Sequence, residues 1–597
     1  MTTLTDVPAQ KRKISAGRCS RLLLGVALLM VPVQVQASSG EPVATQPQYG
    51  TPQDLPVTQA GSYLAARLAA RWNDFPSAAA FFEEALGTDP ENGLLVERAF
   101  MLRMASGDFE DARILAEDMQ ALKIRNFMAS LLKSLDLARD GSFREASQTL
   151  ESDGGGPLAD LTVGVSKAWF DLGAGDLKKA LAGLDALKGP DWFNVFKHNH
   201  AALMAQQAGR MDIALTRIKQ AYEADRGALK VADTYAILLA SAGKKKEALA
   251  VLNQYDQLIP SHPILSTTRA RIEKGETFGP VVADPLTGIA ELLSGLGSAI
   301  GNDGAEELGA ALLNLSLDLN GDGDFAALAL GGLYNRLNAP DRAITALERV
   351  PESSPLKRDA EIQIGLNFNA FDKVDESRQH LQALIDKDPA DLEAIIALGN
   401  VLRSREMFAE AEVVYTKGID TVDKPQPEHW GLYYNRGICR ERLKKWNEAE
   451  VDLRTALELY PDQPQVLNYL GYSLVDQGMK LDEAMQMIQT AVRLRPSDGY
   501  IVDSLGWAYY RLGRYEEATR ELERAVQLRP ADPVINDHLG DAYWKVGRRL
   551  EARFQWNHAR DLNPTPEDLV KILDKIENGL PDTPAAVEAS APPKNGG

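Results

Sequence analysis

The stretch Asp503-Ser504-Leu505-Gly506-Trp507-Ala508-Tyr509-Tyr510, followed by Arg514-Tyr515-Glu516-Glu517-Ala518, decides the fold. Gly506 stands 12 residues before Ala518, Ala525 stands 7 after it, and Pro530 a further 5 on. A shift of 34 residues lands on Gly540, Ala552, Ala559 and Pro564 at the same offsets, with Leu539 over Leu505 and Tyr543 over Tyr509. A fixed period of this length marks a repeat architecture.

The period runs backwards through the chain. Gly437, Ala449, Ala456 and Pro461 form one copy; Gly471, Ala484, Ala491 and Pro496 form the next, with one residue inserted near Met479-Lys480. Gly331 with Ala343, Gly365 with Ser377 and Gly399 with Ala411 continue it, and Gly297 with Gly309 is a degenerate copy. In the first half Ala78, Ala112, Ala146, Ala180, Ala214 and Ala248 are each 34 apart, several of them after a glycine and a charged stretch. Each copy holds two apolar-periodic stretches, long enough for helices and too long for strands. Small residues let the two helices approach closely, and proline ends the second one because it lacks a backbone donor. A single hairpin of this kind cannot bury its apolar face, whereas stacked neighbours bury it jointly. The expectation is an all-α chain: an α-solenoid of about 14 helical hairpins in two arrays.

The motifs around Gly506 and Ala518 resemble tetratricopeptide repeats, and the resemblance covers roughly residues 60–565. It implies a right-handed superhelix whose first helices line a concave wall. The large aromatic that the family carries near the start of the first helix is often missing; Tyr433 and Tyr500 are the nearest stand-ins.

The expected organisation begins with an export signal at 1–37. Lys11, Arg12, Lys13, Arg18 and Arg21 precede a short apolar run at 22–31, and Val35-Gln36-Ala37 offers small residues for cleavage. Cys19 lies before that run and not after it, which argues against a lipid anchor. A flexible leader (38–59), an N-terminal array (60–260), an irregular Pro- and Gly-rich linker (261–285), a C-terminal array (286–565), a capping helix (566–580) and a disordered tail (581–597) follow. The expected location is the periplasm, with no transmembrane domain in the mature chain.

The net charge of −19, from 65 Lys plus Arg against 84 Asp plus Glu, disfavours nucleic acid as a partner. Two cysteines are too few for a disulfide scaffold, and Cys439 reads as a core residue. Phosphate loops, dinucleotide fingerprints and nucleophile elbows are missing from the sequence, so the expectation is a non-enzyme without cofactor or metal. Asp318-Leu319-Asn320-Gly321-Asp322-Gly323-Asp324 mimics a calcium loop, but Ala329 stands where the bidentate glutamate belongs. His198 and His200, two apart on a helix, point to different faces.

Counting from the small-residue positions, the last copies place Asn468 and Tyr472, then Asp503, Trp507, Tyr510 and Arg511, then Asp537, Asp541 and Trp544 on the concave wall. Aromatics flanked by carboxylates suit an extended or helical peptide; the competing reading is packing between repeats. The function expected is a scaffold or adaptor that binds partner proteins or peptides in this groove. The alternatives are a fixed component of an envelope assembly or polysaccharide export machine, and an adaptor of a carboxyl-terminal processing protease. The last rests on the likeness of residues 467–559 to large envelope tetratricopeptide proteins.

Overall fold

The computed structural model describes residues 58–152, 154–301 and 304–581, so the expected signal and nearly all of the leader and tail lie outside the described residues. Among these residues there are thirty α-helices and no strand. Two compact units divide the chain at Ser377/Arg378.

The first unit opens with six helical hairpins: α1 (Gln59–Arg71) with α2 (Phe75–Leu86), α3 (Gly93–Ser106) with α4 (Phe109–Ala121), α5 (Phe127–Arg139) with α6 (Phe143–Thr149), α7 (Pro157–Gly173) with α8 (Leu177–Ala186), α9 (Phe193–Gln207) with α10 (Met211–Ala224), and α11 (Leu229–Ser241) with α12 (Lys245–Asp256). A single helix α13 (Pro263–Lys274), the hairpin α14 (Pro285–Ile300) and α15 (Glu306–Leu319), then α16 (Asp324–Arg336) with α17 (Pro340–Leu347) and α18 (Lys357–Ala370) complete it. The unit ends inside α19 (Val374–Lys387).

The second unit continues with α20 (Leu392–Ser404) and α21 (Phe408–Asp420), α22 (Trp430–Arg442) and α23 (Trp446–Leu459), α24 (Pro464–Asp476) and α25 (Leu481–Leu494), α26 (Gly499–Arg511) and α27 (Tyr515–Leu528), and α28 (Pro533–Lys545) and α29 (Arg549–Asp561). It closes on α30 (Pro566–Asn578).

The repeat metre has a local cause. A Cβ on Gly506 would stand 2.6 Å from Leu522, and one on Gly540 2.4 Å from Trp556, so the glycine is what admits the large residue of the facing helix. Ala518 and Ala552 are fully buried on the opposite side of the same crossing. Helix starts are fixed by carboxylates: Asp498 accepts from the Tyr500 and Ile501 amides, and Asp532 from those of Val534 and Ile535. The turn between the two helices needs one left-handed residue, and Gly513 and Gly547 supply it at φ 74° and 82°. Cys439 is buried in α22, and burial pushes its thiol up to about 12.

The organisation differs from the sequence expectation at the linker and at the start of the C-terminal array, whose residues 286–377 belong to the first unit. Residues 261–285, expected as an irregular linker, contain α13, which packs on α11 and α12. Thr268 of α13 donates to Asp233 of α11 at 2.6 Å. The extended part that follows is tied to α9, with the Val281 amide donating to Gln206 and Gln207 donating to the Ala283 carbonyl, each at 3.0 Å. The physical reason lies in α14 and α15. They are apolar on nearly every side, and such a helix is stable only when surrounded. They therefore belong to the first unit.

Candidate functional site

The first helices of successive hairpins form the inner wall of each unit. In the first unit that wall is filled by the chain itself. α15 lies along α3, while α14 lies along α7 and touches α5 and α9. Leu292, Leu296 and Leu312 are completely buried there. Gly288 lets α14 settle on Trp169, since a Cβ would meet the indole at 2.4 Å. Gly309 lets α15 cross α14, since its Cβ would stand 2.7 Å from the Gly301 Cα. Polar ties hold the edges: both guanidinium nitrogens of Arg98 donate to Glu307 at 2.9 Å, and Asn314 donates to the Ala105 carbonyl at 2.9 Å.

The calcium-like loop takes part in these ties. Asp318 pairs with Arg139, and Asp324 accepts from Ser354 at 2.6 Å. Among the described residues no group of three or more His, Cys, Asp or Glu side chains could hold a metal. His200 is buried and accepts from the Trp169 indole at 3.2 Å; burial takes its pKa down to about 3, which keeps it neutral for that role. His198 sits apart from it, beside Arg217.

In the second unit the residues picked out by register form a chain of contacts from one first helix to the next. Asn468 of α24 donates to Ser504 of α26 at 3.1 Å. Arg511 of α26 donates to Asp476 of α24 at 2.5 Å. Asp503 of α26 meets His538 of α28 at 2.9 and 3.1 Å. Lys575 of α30 donates to Asp537 at 2.7 Å and to Asp541 at 2.9 Å, and Asp541 also accepts from the Trp556 indole at 2.9 Å. The Trp507 ring stacks with Tyr510, centroids 4.7 Å apart at 9°, and with His538, 4.0 Å apart at 17°. Tyr472, Trp507 and Tyr510 stay half-buried. Trp544 differs: its indole donates to the Leu580 carbonyl at 3.0 Å, Gly579 packs on it, and Arg549 lies 3.9 Å over its ring.

The electrostatics follow from burial and pairing. Burial raises the Tyr472 phenol to about 12, with Asp503 and Asp476 adding to the effect. Burial also raises Asp541 to about 6, with Lys575 opposing and Asp537 reinforcing it. For His538 burial alone would depress the pKa, but Asp503, Asp537 and Asp541 outweigh it and lift it above the ordinary value.

Two features escaped the register count. His538 lies one position from the counted Asp537, yet it bridges Asp503 and Trp507; it does not turn towards His558, which stacks on Phe554. Tyr434 of α22, three residues before Gly437 as Asp503 is before Gly506, meets Tyr469 edge-on at 6.0 Å and Trp430 at 5.8 Å. Extending the count by one copy would have found it.

Stacked hairpins around a polar and aromatic inner wall define a helical-repeat scaffold. Residues 430–463 match the family model described as tetratricopeptide repeat, and residues 506–547 the one described as TPR repeat. The chain carries tetratricopeptide repeats at these residues, and proteins built from this repeat generally mediate protein–protein interactions. The TPR repeat-containing protein PA4667 of Pseudomonas aeruginosa is 31% identical over 143 residues, 24% of this chain and 24% of that protein. A homolog of lipoprotein NlpI from Haemophilus influenzae is 34% identical over 89 residues, 15% of this chain and 28% of that protein. This chain thus spans about a quarter of the length of the curated relatives it matches. Among solved structures, yeast Tom70 aligns with 76% of this chain and 95% of its own at 15% identity and a TM-score of 0.38. The Cut9–Hcn1 assembly aligns over 87% and 96% at 14% identity and a TM-score of 0.36.

Proposed function

We propose that this protein is a non-catalytic scaffold, exported to the periplasm, that holds an extended or helical segment of a partner protein on the inner wall of α24, α26 and α28. The observation that carries the reading is the half-buried aromatic strip Tyr472, Trp507 and Tyr510, on a wall that no hairpin among the described residues of its unit fills. Aromatic side chains lose little entropy on binding and bring large contact areas, which makes them the usual anchors of such surfaces. Export is supported by the basic, apolar and small-residue order of residues 11–37, and by the likeness to a protein named as a lipoprotein homolog.

Photo-crosslinking tests this in the native host. A crosslinker at Tyr472 or Arg511 should trap a discrete partner, whereas one at the outward Gln486 should trap none. Equal capture at Gln486, or no capture at Tyr472, refutes the reading.

A further inference from the structure

We infer, resting on the scaffold reading above, that the strap Gly579-Leu580-Pro581 after α30 is a built-in occupant of the last step of the groove and gives way to a partner segment. The four aromatics that the register count places on the second wall differ in one respect. Tyr472, Trp507 and Tyr510 are half-buried, whereas Trp544 is closed off, 9% exposed. The strap contributes to that cover, and its backbone lies against the wall. The Trp544 indole donates to the Leu580 carbonyl at 3.0 Å, and Lys545, the next residue of α28, donates to the Pro581 carbonyl at 3.1 Å. Two successive carbonyls thus meet an aromatic and a cation one position apart, as those of an extended partner would. One repeat earlier the same two positions are Tyr510 and Arg511. Tyr510 and Leu580 pack against the same apolar cluster, that of Trp544.

Gly579 is what puts the chain there. At φ 72° and ψ −173° it holds a conformation essentially reserved for glycine. It also touches the ring, since a Cβ would stand 2.0 Å from the Trp544 indole. α30 is anchored separately, by the buried Ile572 and by Lys575 on Asp537 and Asp541. The strap lies outside any helix, and its two ties to the wall are hydrogen bonds that water or a partner's carbonyls can replace. It can therefore lift while α30 stays in place. A partner segment that reaches past Tyr510 displaces it, and the fraction of molecules with the strap seated lowers the apparent affinity for that partner.

A photo-crosslinker at Tyr472, and in a second chain at Tyr510, tests this in the native host with the full-length protein. Gly579→Val cannot seat against the indole, and Leu580→Ser loses the apolar contact while keeping the backbone. Either variant should raise capture of the partner at both positions at least ~5-fold. In purified protein labelled with 5-fluorotryptophan, the Trp544 fluorine resonance, assigned with Trp544→Phe, should move towards its solvent-exposed position in Gly579→Val. The helical circular dichroism should stay that of the parent. Capture that is present but unaltered or lowered in both variants overturns the inference. So does a Trp544 resonance that neither variant moves, because the strap is then a fixed part of the last repeat. Absence of capture at Tyr472 from every chain is a different result: it removes the scaffold reading itself, and the inference with it.

Discussion

The two inner walls share one metre and put it to opposite uses. In the first unit α3, α5, α7 and α9 close around α14 and α15, and the wall is a core. In the second, α24, α26 and α28 are joined to one another by side-chain pairs; Asp503, Asp541 and Trp544 are buried, and Tyr472, Trp507 and Tyr510 stay half-buried. The repeat fixes where the first helices stand; what lies against them is decided by composition. α14 carries one charged residue, Glu291, in its sixteen, which leaves it no face to offer to water. α26 carries Asp503 and Arg511, and each is answered by the neighbouring first helix.

The comparison breaks most readily where the core is packed. Leu312→Ala should cost about 2–5 kcal/mol, because the cavity lies between tightly crossed helices. Hydrogen exchange should show α14 and α15 losing protection first. A loss confined to α15 would mean that the two helices are not one cooperative element.

In the second unit the corresponding lever is Lys575. Lys575→Ala should cost about 3 kcal/mol by leaving the buried Asp541 and the partly buried Asp537 without their cation. The cost should shrink at pH 5, where Asp541, raised to about 6, takes up a proton. A pH-independent cost would exclude Asp541 from the pairing.

Arg98→Ala tests the edge of the filled wall. Both partners are partly exposed, so about 1 kcal/mol is expected, and less in high salt.

The parent protein should show a weaker graded effect. His538 and Asp541 both have raised pKa values in the folded state. Groups of this kind hold more protons folded than unfolded, so their contribution favours the fold at low pH and fades as pH rises through the folded values. α26–α30 should therefore be more protected at pH 5.5 than at pH 8, and His538→Gln should flatten the difference. The opposite slope would remove Asp503 as the partner of His538.

The smallest effect belongs to what the units share. Asn338 and Lys444 hold the left-handed turn at φ 54° and 63° where other repeats use glycine. Asn338→Gly and Lys444→Gly should each stabilise by about 0.5 kcal/mol, alike in both units.

The legible part of the fold was the part with a local cause. Gly506 and Gly540 announce the hairpin because a close crossing admits no side chain, and that need recurs every 34 residues. Gly297 and Gly309 keep the same spacing of 12, so α14 and α15 read as one more copy in the stack. Spacing reports how two helices cross, not what surrounds the pair; only the missing charges in 286–300 carried that. On the second wall the count placed Trp507 and Asp503 beside their neighbours. It could not show that Trp544 lies under residues 579–581, because that contact comes from beyond the last repeat. Nor could it find His538, whose role depends on a helix one repeat away.

The pairs along the second wall also have a mechanical meaning. Asn468–Ser504, Asp476–Arg511, Asp503–His538 and Asp537–Lys575 each join residues 35 to 38 apart in the chain. They act as rungs on the inside of a coil. Opening the pitch stretches them, the two between α24 and α26 together. A ligand that needs a wider turn works against two rungs between α24 and α26 and one between α26 and α28, and salt that screens the charged rungs makes the spring softer.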